Sequence, residues 1–221
     1  VFVQPMKVGR RGFPLLGKPV DFGAVLDKPS GGPTNHVSLA TDDFSYYGHH
    51  QYYEVTDDGI RLGRVPPEAV NEYRCGEKVV LNHEAPPDFE ASVTIDFLDD
   101  AGARDAGILF RCSGASVGYD AQRGYFAGLI PRTGIVILGK TDGTNWQELA
   151  RATSQFAADE EQHLSVRMSA DEIIVRLNGQ RMIVHRDGTY QRGTVGLRVV
   201  DSDARFSDFR VEPVEVAKGP E

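Results

Sequence analysis

No stretch of this chain comes near the ~20 consecutive apolar residues that a membrane-spanning helix needs, and no long run of like charge interrupts it. The formal net charge is -8, from 24 basic against 32 acidic residues. That balance argues against a sequence-blind grip on nucleic acid or an anionic membrane surface. Cysteine is scarce: of 221 residues only Cys75 and Cys112 carry thiols, in separate strand-like segments and in neither a CxxC nor a Cys/His cluster. Metal-thiolate and thiol redox chemistry are thereby disfavoured, while a Cys75–Cys112 bridge and two separate buried thiols both stay open. The start, VFVQPMKVGRRGF, has neither an initiator Met nor an apolar leader core, so a mature form or a fragment of a soluble protein is expected. Helical periodicity is also missing; SQFAADEEQH is the one short helical or turn-like segment.

What is present is a period of two. In DFEASVTIDF, Phe89, Ala91, Val93, Ile95 and Phe97 share one face, and Glu90, Ser92, Thr94 and Asp96 share the other, as in a strand with one buried side. GILFRC sets Ile108, Phe110 and Cys112 against Leu109 and Arg111; HLSVRM sets Leu164, Val166 and Met168 against His163, Ser165 and Arg167. EIIVRLNGQRMIVHRD holds two apolar runs joined by Asn178-Gly179, the pair best suited to the positive φ angles of a type I′ hairpin. GYFAGLI, GIVILGK, WQELA, GTVGLRVV and ARFSDFRVEP continue the pattern, separated by Gly, Pro, Asp and Thr clusters. Short strands at such spacing predict an all-β protein, an antiparallel β-sandwich. Residues 1–48 differ, with GRRGFPLLGKP and DKPSGGPTNH rich in Gly and Pro. They are expected to form an arm or linker, with the sandwich over 49–215 and a tail over 216–221.

From Asp88 onward the order DFEASVTIDF, AGILFR, GY, GIVILGK, WQELA, HLSVRM, EIIVRLNGQRMIVHRD, GTVGLRV and ARFSDFRV resembles the concanavalin-A-like lectin/glucanase superfamily. Its laminin-G-like and family 66 carbohydrate-binding modules are the most similar members. YYEVTDDGIRLG extends the likeness backward as a first strand pair. The resemblance implies a jelly roll of two sheets, with ligand on the concave face of one. It places Arg111, Glu90, Tyr119 and Lys140 on that face, and alternation independently puts Glu90 and Arg111 on the non-core side of their strands.

Sugar recognition calls for planar donors and acceptors for vicinal hydroxyls, and for an aromatic face against the C–H side of a ring. Arg111, Glu90, Asp120, Arg123 and Lys140 are candidates for the polar part, and Tyr119, Tyr125 or the single Trp146 for the platform. FSYYGHHQYYEV gathers further aromatics, read as a seam tying the arm to the body; adjacent His49 and His50 would face opposite sides of a strand and could not share a metal. No cofactor is required. A structural calcium remains an expectation from the acidic loops, with Asp43 and Asp208 as candidate ligands, although no EF-hand spacing occurs.

Catalytic signatures are absent. No strand carries the ExDxE or ExDxxE carboxylate triplet of a sandwich glycosidase, HEAPPD lacks the second histidine of a zinc protease, and no GxSxG precedes a helix. The late segments are also similar to the 3-keto-disaccharide hydrolase family, whose NSGI and GYE strings stand here as DAGI and GYD, with Asp120 in the glutamate's place. A non-catalytic carbohydrate-binding module, secreted or periplasmic, is therefore the leading expectation, its partner an oligosaccharide or polysaccharide and a covalently linked catalytic domain its natural companion. A glycoside hydrolase using carboxylates such as Glu90 and Asp120, and a laminin-G-like protein-interaction domain, are the alternatives.

Overall fold

The computed structural model describes residues 6–8, 14–16, 43–48, 53–56, 59–63, 76–98, 105–157 and 159–214. The chain divides into two units, Val1–Pro33 and Thr34–Glu221. In the first, β1 (Met6–Val8) pairs antiparallel with β2 (Pro14–Leu16), Met6 opposite Leu16.

The second unit is a sandwich of two antiparallel sheets of seven strands each. One, the first sheet, runs β11 (Trp146–Thr153), β10 (Ile135–Asp142), β9 (Arg123–Ile130), β8 (Asp105–Ser113), β15 (Thr194–Val200), β6 (Gly76–Leu81), β3 (Phe44–Tyr47). The second runs β14 (Gln180–Arg186), β13 (Glu172–Leu177), β12 (Gln162–Ser169), β7 (Phe89–Phe97), β16 (Ala204–Pro213), β5 (Gly59–Leu62), β4 (Tyr53–Thr56). The predicted all-β sandwich is therefore the observed fold. Among the described residues no helix is long and apolar enough to cross a membrane.

Alternation builds the interior. Phe89, Ala91, Val93, Ile95 and Phe97 of β7 face Ile108 and Phe110 of β8, Tyr125, Ala127 and Leu129 of β9 and Leu138 of β10 in one core. The Asn178-Gly179 hairpin joins β13 to β14 with φ of +49° and +79°, as predicted. Tyr53–Thr56 and Gly59–Leu62 form the expected first strand pair.

Two expectations change. Phe44–Tyr47, assigned to the arm, is an edge strand of the first sheet, paired with β6. Tyr46 stacks on Tyr53 with ring centroids 4.9 Å apart, so that part of the aromatic seam joins the two sheets; His49 and His50 lie outside the described residues. SQFAADEEQH, expected to be helical or turn-like, takes the second form among its described residues: a turn leading into β12.

The second change concerns Arg111. Pairing of β8 with β9 slips between Phe110 and Ser113, and Arg111 takes φ +47°. This bulge is flanked by Gly124 and Gly193, where any Cβ would collide with the Arg111 and Cys112 backbone. It resets the alternation, so Cys112 joins Leu109 on the outer side of the first sheet instead of Ile108 in the core. Arg111 is consequently not a solvated face residue: it is 4% exposed. Its guanidinium donates to the carbonyls of Tyr190 (2.8 Å) and of Pro87 (2.9 Å), just before β7 in the other sheet. Cys112 carries a free, buried thiol, pushed by that burial up to about 11; Cys75, the other half of the bridge question, lies outside the described residues.

Candidate functional site

The outer face of the first sheet is assembled from two registered rows. Lys78, Arg198, Gly107, Gly128, Ile137 and Arg151 lie side by side across β6, β15, β8, β9, β10 and β11. The adjacent row reads Val80, Gly196, Leu109, Phe126, Gly139 and Glu148. The glycines decide the relief. A Cβ on Gly128 would overlap the Phe126 ring, and one on Gly139 would overlap the Trp146 ring, so both rings reach over bare backbone. Phe126 and Trp146 meet edge to face, centroids 6.2 Å apart.

Over this floor lies Arg198. Its guanidinium carbon is 3.7 Å from the Phe126 centroid and 5.7 Å from that of Trp146, a stacked geometry that suits a planar cation. One terminal nitrogen donates to the Tyr119 carbonyl (3.1 Å) and to Asp120 Oδ1 (3.3 Å), the other to Asp105 Oδ1 (3.3 Å). Tyr119 and Asp120 arrive on the 114–122 connection between β8 and β9. Thr144 and Asn145 arrive on the tight turn before Trp146, where Asp142 accepts the backbone N–H of Asn145 (2.8 Å) and Thr144 (3.0 Å). Those bonds, the Asn145 ones foremost, hold the Asp142 carboxyl well below the usual carboxylate range. Together these groups line a cleft of about 500 Å³ whose rim carries the Glu148–Arg151 ion pair (2.5 Å). Each cleft carboxylate thus faces a guanidinium, which leaves the walls polar without a strong net charge.

Of the residues singled out from the sequence, Tyr119, Asp120 and Trp146 come together in this cleft. The others do not. Glu90 lies on the outer face of the opposite sheet, in a shallow groove with Ser92, His163 and Arg210, and so cannot act with Asp120. Arg111 is buried at the bulge. Lys140 pairs with Asp187 (2.6 Å) and bonds Thr189 Oγ1 (2.7 Å), locking the loop after β14. Arg123 is exposed and donates to the Asp142 carbonyl (3.3 Å), outside the cleft lining. Tyr125 is a core ring whose hydroxyl bonds Asp187. Asp43 precedes β3 of the first sheet and Asp208 lies in β16 of the second, and among the described residues no group of three or more His, Cys, Asp or Glu side chains is placed to hold a metal ion.

Sequence reasoning missed Arg198, Asp105 and Phe126. The signal was there: VGLRVV is apolar apart from one arginine, and the glycines at 107, 128, 139 and 196 recur inside strands where packing normally demands a side chain.

The fold recurs in sugar-binding proteins. The carbohydrate-binding module CBM66 from Bacillus subtilis superposes with a TM-score of 0.64 at 19% identity, over 77% of this chain and 95% of that one. The exoplasmic/lumenal domain of VIP36, in its Ca2+/Man3GlcNAc-bound form, matches with a TM-score of 0.62 at 14% identity, over 82% and 88%. A legume lectin-like domain from Entamoeba histolytica gives 0.59 at 11%, over 79% and 91%. At such identities the likeness establishes the concanavalin-A-like fold. No curated protein matches the chain. A domain family does, across residues 41–212, which contain both sheets and the whole cleft: this chain belongs to the 3-keto-alpha-glucoside-1,2-lyase-like domain family.

Proposed function

We propose that the cleft on the first sheet binds a neutral glycoside. The observation that carries this reading is Arg198, stacked on Phe126 beside Trp146 and bracketed by Asp105 and Asp120. A guanidinium and carboxylates whose charges offset one another have little Coulombic pull on an ion; buried Arg198 orients Asp105 and Asp120, whose carboxylate oxygens at the cleft suit the adjacent hydroxyls of a sugar. Trp146 and Tyr119 supply apolar faces at the same opening. A volume of about 500 Å³ suits a mono- or disaccharide. The sugar-binding neighbours and the family name point the same way.

Calorimetry against an α-linked glucose disaccharide, its 3-keto derivative and a mannose trisaccharide tests this. At least one should bind, and Trp146→Ala should weaken it roughly tenfold or more, the equivalent of ~1.4 kcal/mol. Equal affinity in the variant would place the site elsewhere.

The family match favours a second reading, cleavage. Elimination across C1–C2 beside a C3 ketone needs a base for the C2 proton and an acid for the departing glycosidic oxygen. Asp105 and Asp120, both paired with Arg198, are the cleft carboxylates nearest its stacked rings. If the chain is a lyase, product release from the 3-keto disaccharide should fall ~10²-fold or more in Asp120→Asn while binding persists. No product from the wild-type chain would leave the binding reading alone.

A further inference from the structure

Lys78 of β6 and Arg198 of β15 are directly opposite one another in the ladder and point to the same side. Two like charges in that relation destabilise a sheet unless something compensates, and here both are buried, Lys78 with no exposure at all. Besides Asp105 of β8, which accepts from Arg198 (3.3 Å), the compensation comes from one connection, residues 116–122. The Lys78 ammonium donates to the carbonyls of Gly118 (2.5 Å) and Ala121 (3.5 Å) and to the Gln122 side-chain oxygen. Arg198 takes the Tyr119 carbonyl and Asp120 between them.

The connection is anchored at its ends: Ala115 packs against the Leu109–Phe126 cluster, and the carbonyl of buried Gln122 accepts from the Thr141 hydroxyl (2.5 Å). Between these ends no side chain from Ser116 to Ala121 is buried, and Val117 is 47% exposed. The bonds from Lys78 and Arg198 reach this middle stretch, at Gly118, Tyr119, Asp120 and Ala121. We propose that Lys78 is a positioning residue for the cleft: its buried ammonium holds the 116–122 connection where Tyr119 and Asp120 can meet the ligand. This rests on the cleft being the glycoside site.

A pH dependence follows. Burial first, and Arg198 second, push the Lys78 ammonium down to about 8 from an ordinary 10.5, against the opposing pull of Cys112, Asp120 and Glu77. Arg198, Asp120 and Cys112 share its side of the sheet, as does Tyr47, its ladder partner on β3, while Glu77, next along β6, lies on the other side; the Cys112 thiol, pushed up to about 11, titrates above this window. Below about pH 8 the ammonium is charged and the clamp is complete; above it the neutral amine has one N–H fewer and no charge to strengthen the bonds that remain. Global stability moves the other way. Between about 8 and 10.5 the unfolded chain holds more protons than the folded one, so rising pH relieves the cost of the desolvated ammonium and stabilises the fold. Clamp and fold thus respond to pH with opposite sign.

The test compares wild type with Lys78→Met, which keeps the bulk and removes the donors. Hydrogen-exchange protection factors of the 116–122 amides, with no ligand present, should fall in the variant while those of β7 and β12 hold. In wild type they should fall between pH 7 and 9.5, and in the variant they should not respond. Affinity for the 3-keto disaccharide should drop roughly tenfold or more in Lys78→Met and lose its inflection near pH 8. Unchanged loop protection in the variant overturns the clamp even if sugar binds normally. A loosened loop with undiminished affinity overturns its role in positioning. A wild-type chain that binds none of the sugars brings down the cleft reading, and the positioning role with it. A variant that loses protection in β7 and β12 as well has a general packing defect, and the clamp is then overturned unless the wild-type pH response is confined to 116–122.

Discussion

Two arginines carry opposite duties in this fold, and the difference lies in what their nitrogens touch. The Arg111 guanidinium spans from the first sheet to the Pro87 carbonyl ahead of β7 and the Tyr190 carbonyl of the loop before β15. It is a brace. Arg111→Ala should leave sugar affinity unchanged and lower stability by about 2–3 kcal/mol, the worth of charge-assisted bonds to carbonyls then left unpaired. Urea melts beside calorimetry check this; intact stability with lost binding would return Arg111 to the ligand site. Arg198 instead presents stacked planes and bracketed charges to a cleft. Strand alternation could point to Arg111 as a surface group only because a bulge leaves no mark in GILFRC itself; its signs are Gly124 in β9 and Gly193 just ahead of β15. Tyr119 was legible through the family resemblance of its GY string, and Asp120 and Trp146 as a carboxylate and an aromatic face of the kinds that sugar recognition calls for. Arg198 was not, because a lone charge inside an apolar strand reads equally well as an edge residue.

At the level of the element, periodicity predicted β7, which alternates strictly to its ends, and β12, which alternates except at buried Ser165; the β13–β14 hairpin was legible from its Asn178-Gly179 turn, although its ladder slips between Val175 and Arg176. Periodicity fails wherever the ladder slips. In β16, Phe206 and Phe209 both enter the core although three apart, and Asp208 between them takes φ +50° at the slip. The glycines of the first sheet act through the same economy of space. Gly128 has to remain bare because the Phe126 ring occupies the place of its Cβ, and Arg198 rests on that ring. Gly128→Ala should therefore displace Phe126, tilt Arg198 and weaken sugar binding about as much as Trp146→Ala, with an overpacking cost of about 1–3 kcal/mol. Binding and thermal melts on the one variant decide it. Full affinity would mean that the stacked ring is dispensable.

For the molecule as a whole, alternation says which side of a strand is buried but not which sheet the strand joins, so the order of strands within each sheet was beyond reach of the sequence. The crossover after β14 shows what fixes it. The 187–193 segment leaves the edge of the second sheet and enters the middle of the first, and Asp187 at its start accepts from Lys140 (2.6 Å), from the Tyr125 hydroxyl (2.7 Å) and from the Thr189 N–H (2.8 Å). Burial alone would raise the Asp187 carboxyl, but the bonds from Lys140, Thr189 and Tyr125 outweigh it and hold the group well below the usual carboxylate range. The same burial pushes the Tyr125 hydroxyl up to about 12, so it stays a donor across the working range. Because the folded carboxyl is the stronger acid, its contribution is complete above the unfolded value of ~3.9 and is lost as pH falls through the folded one. Wild-type stability should accordingly drop steeply below about pH 4. Asp187→Asn should cost about 2–3 kcal/mol at pH 7, with Lys140 left facing an amide, and should flatten that acid limb. Urea midpoints at pH 7, 4 and 3 measure both effects, and a variant curve running parallel to wild type down to pH 3 would show that the junction of the sheets is held by other groups.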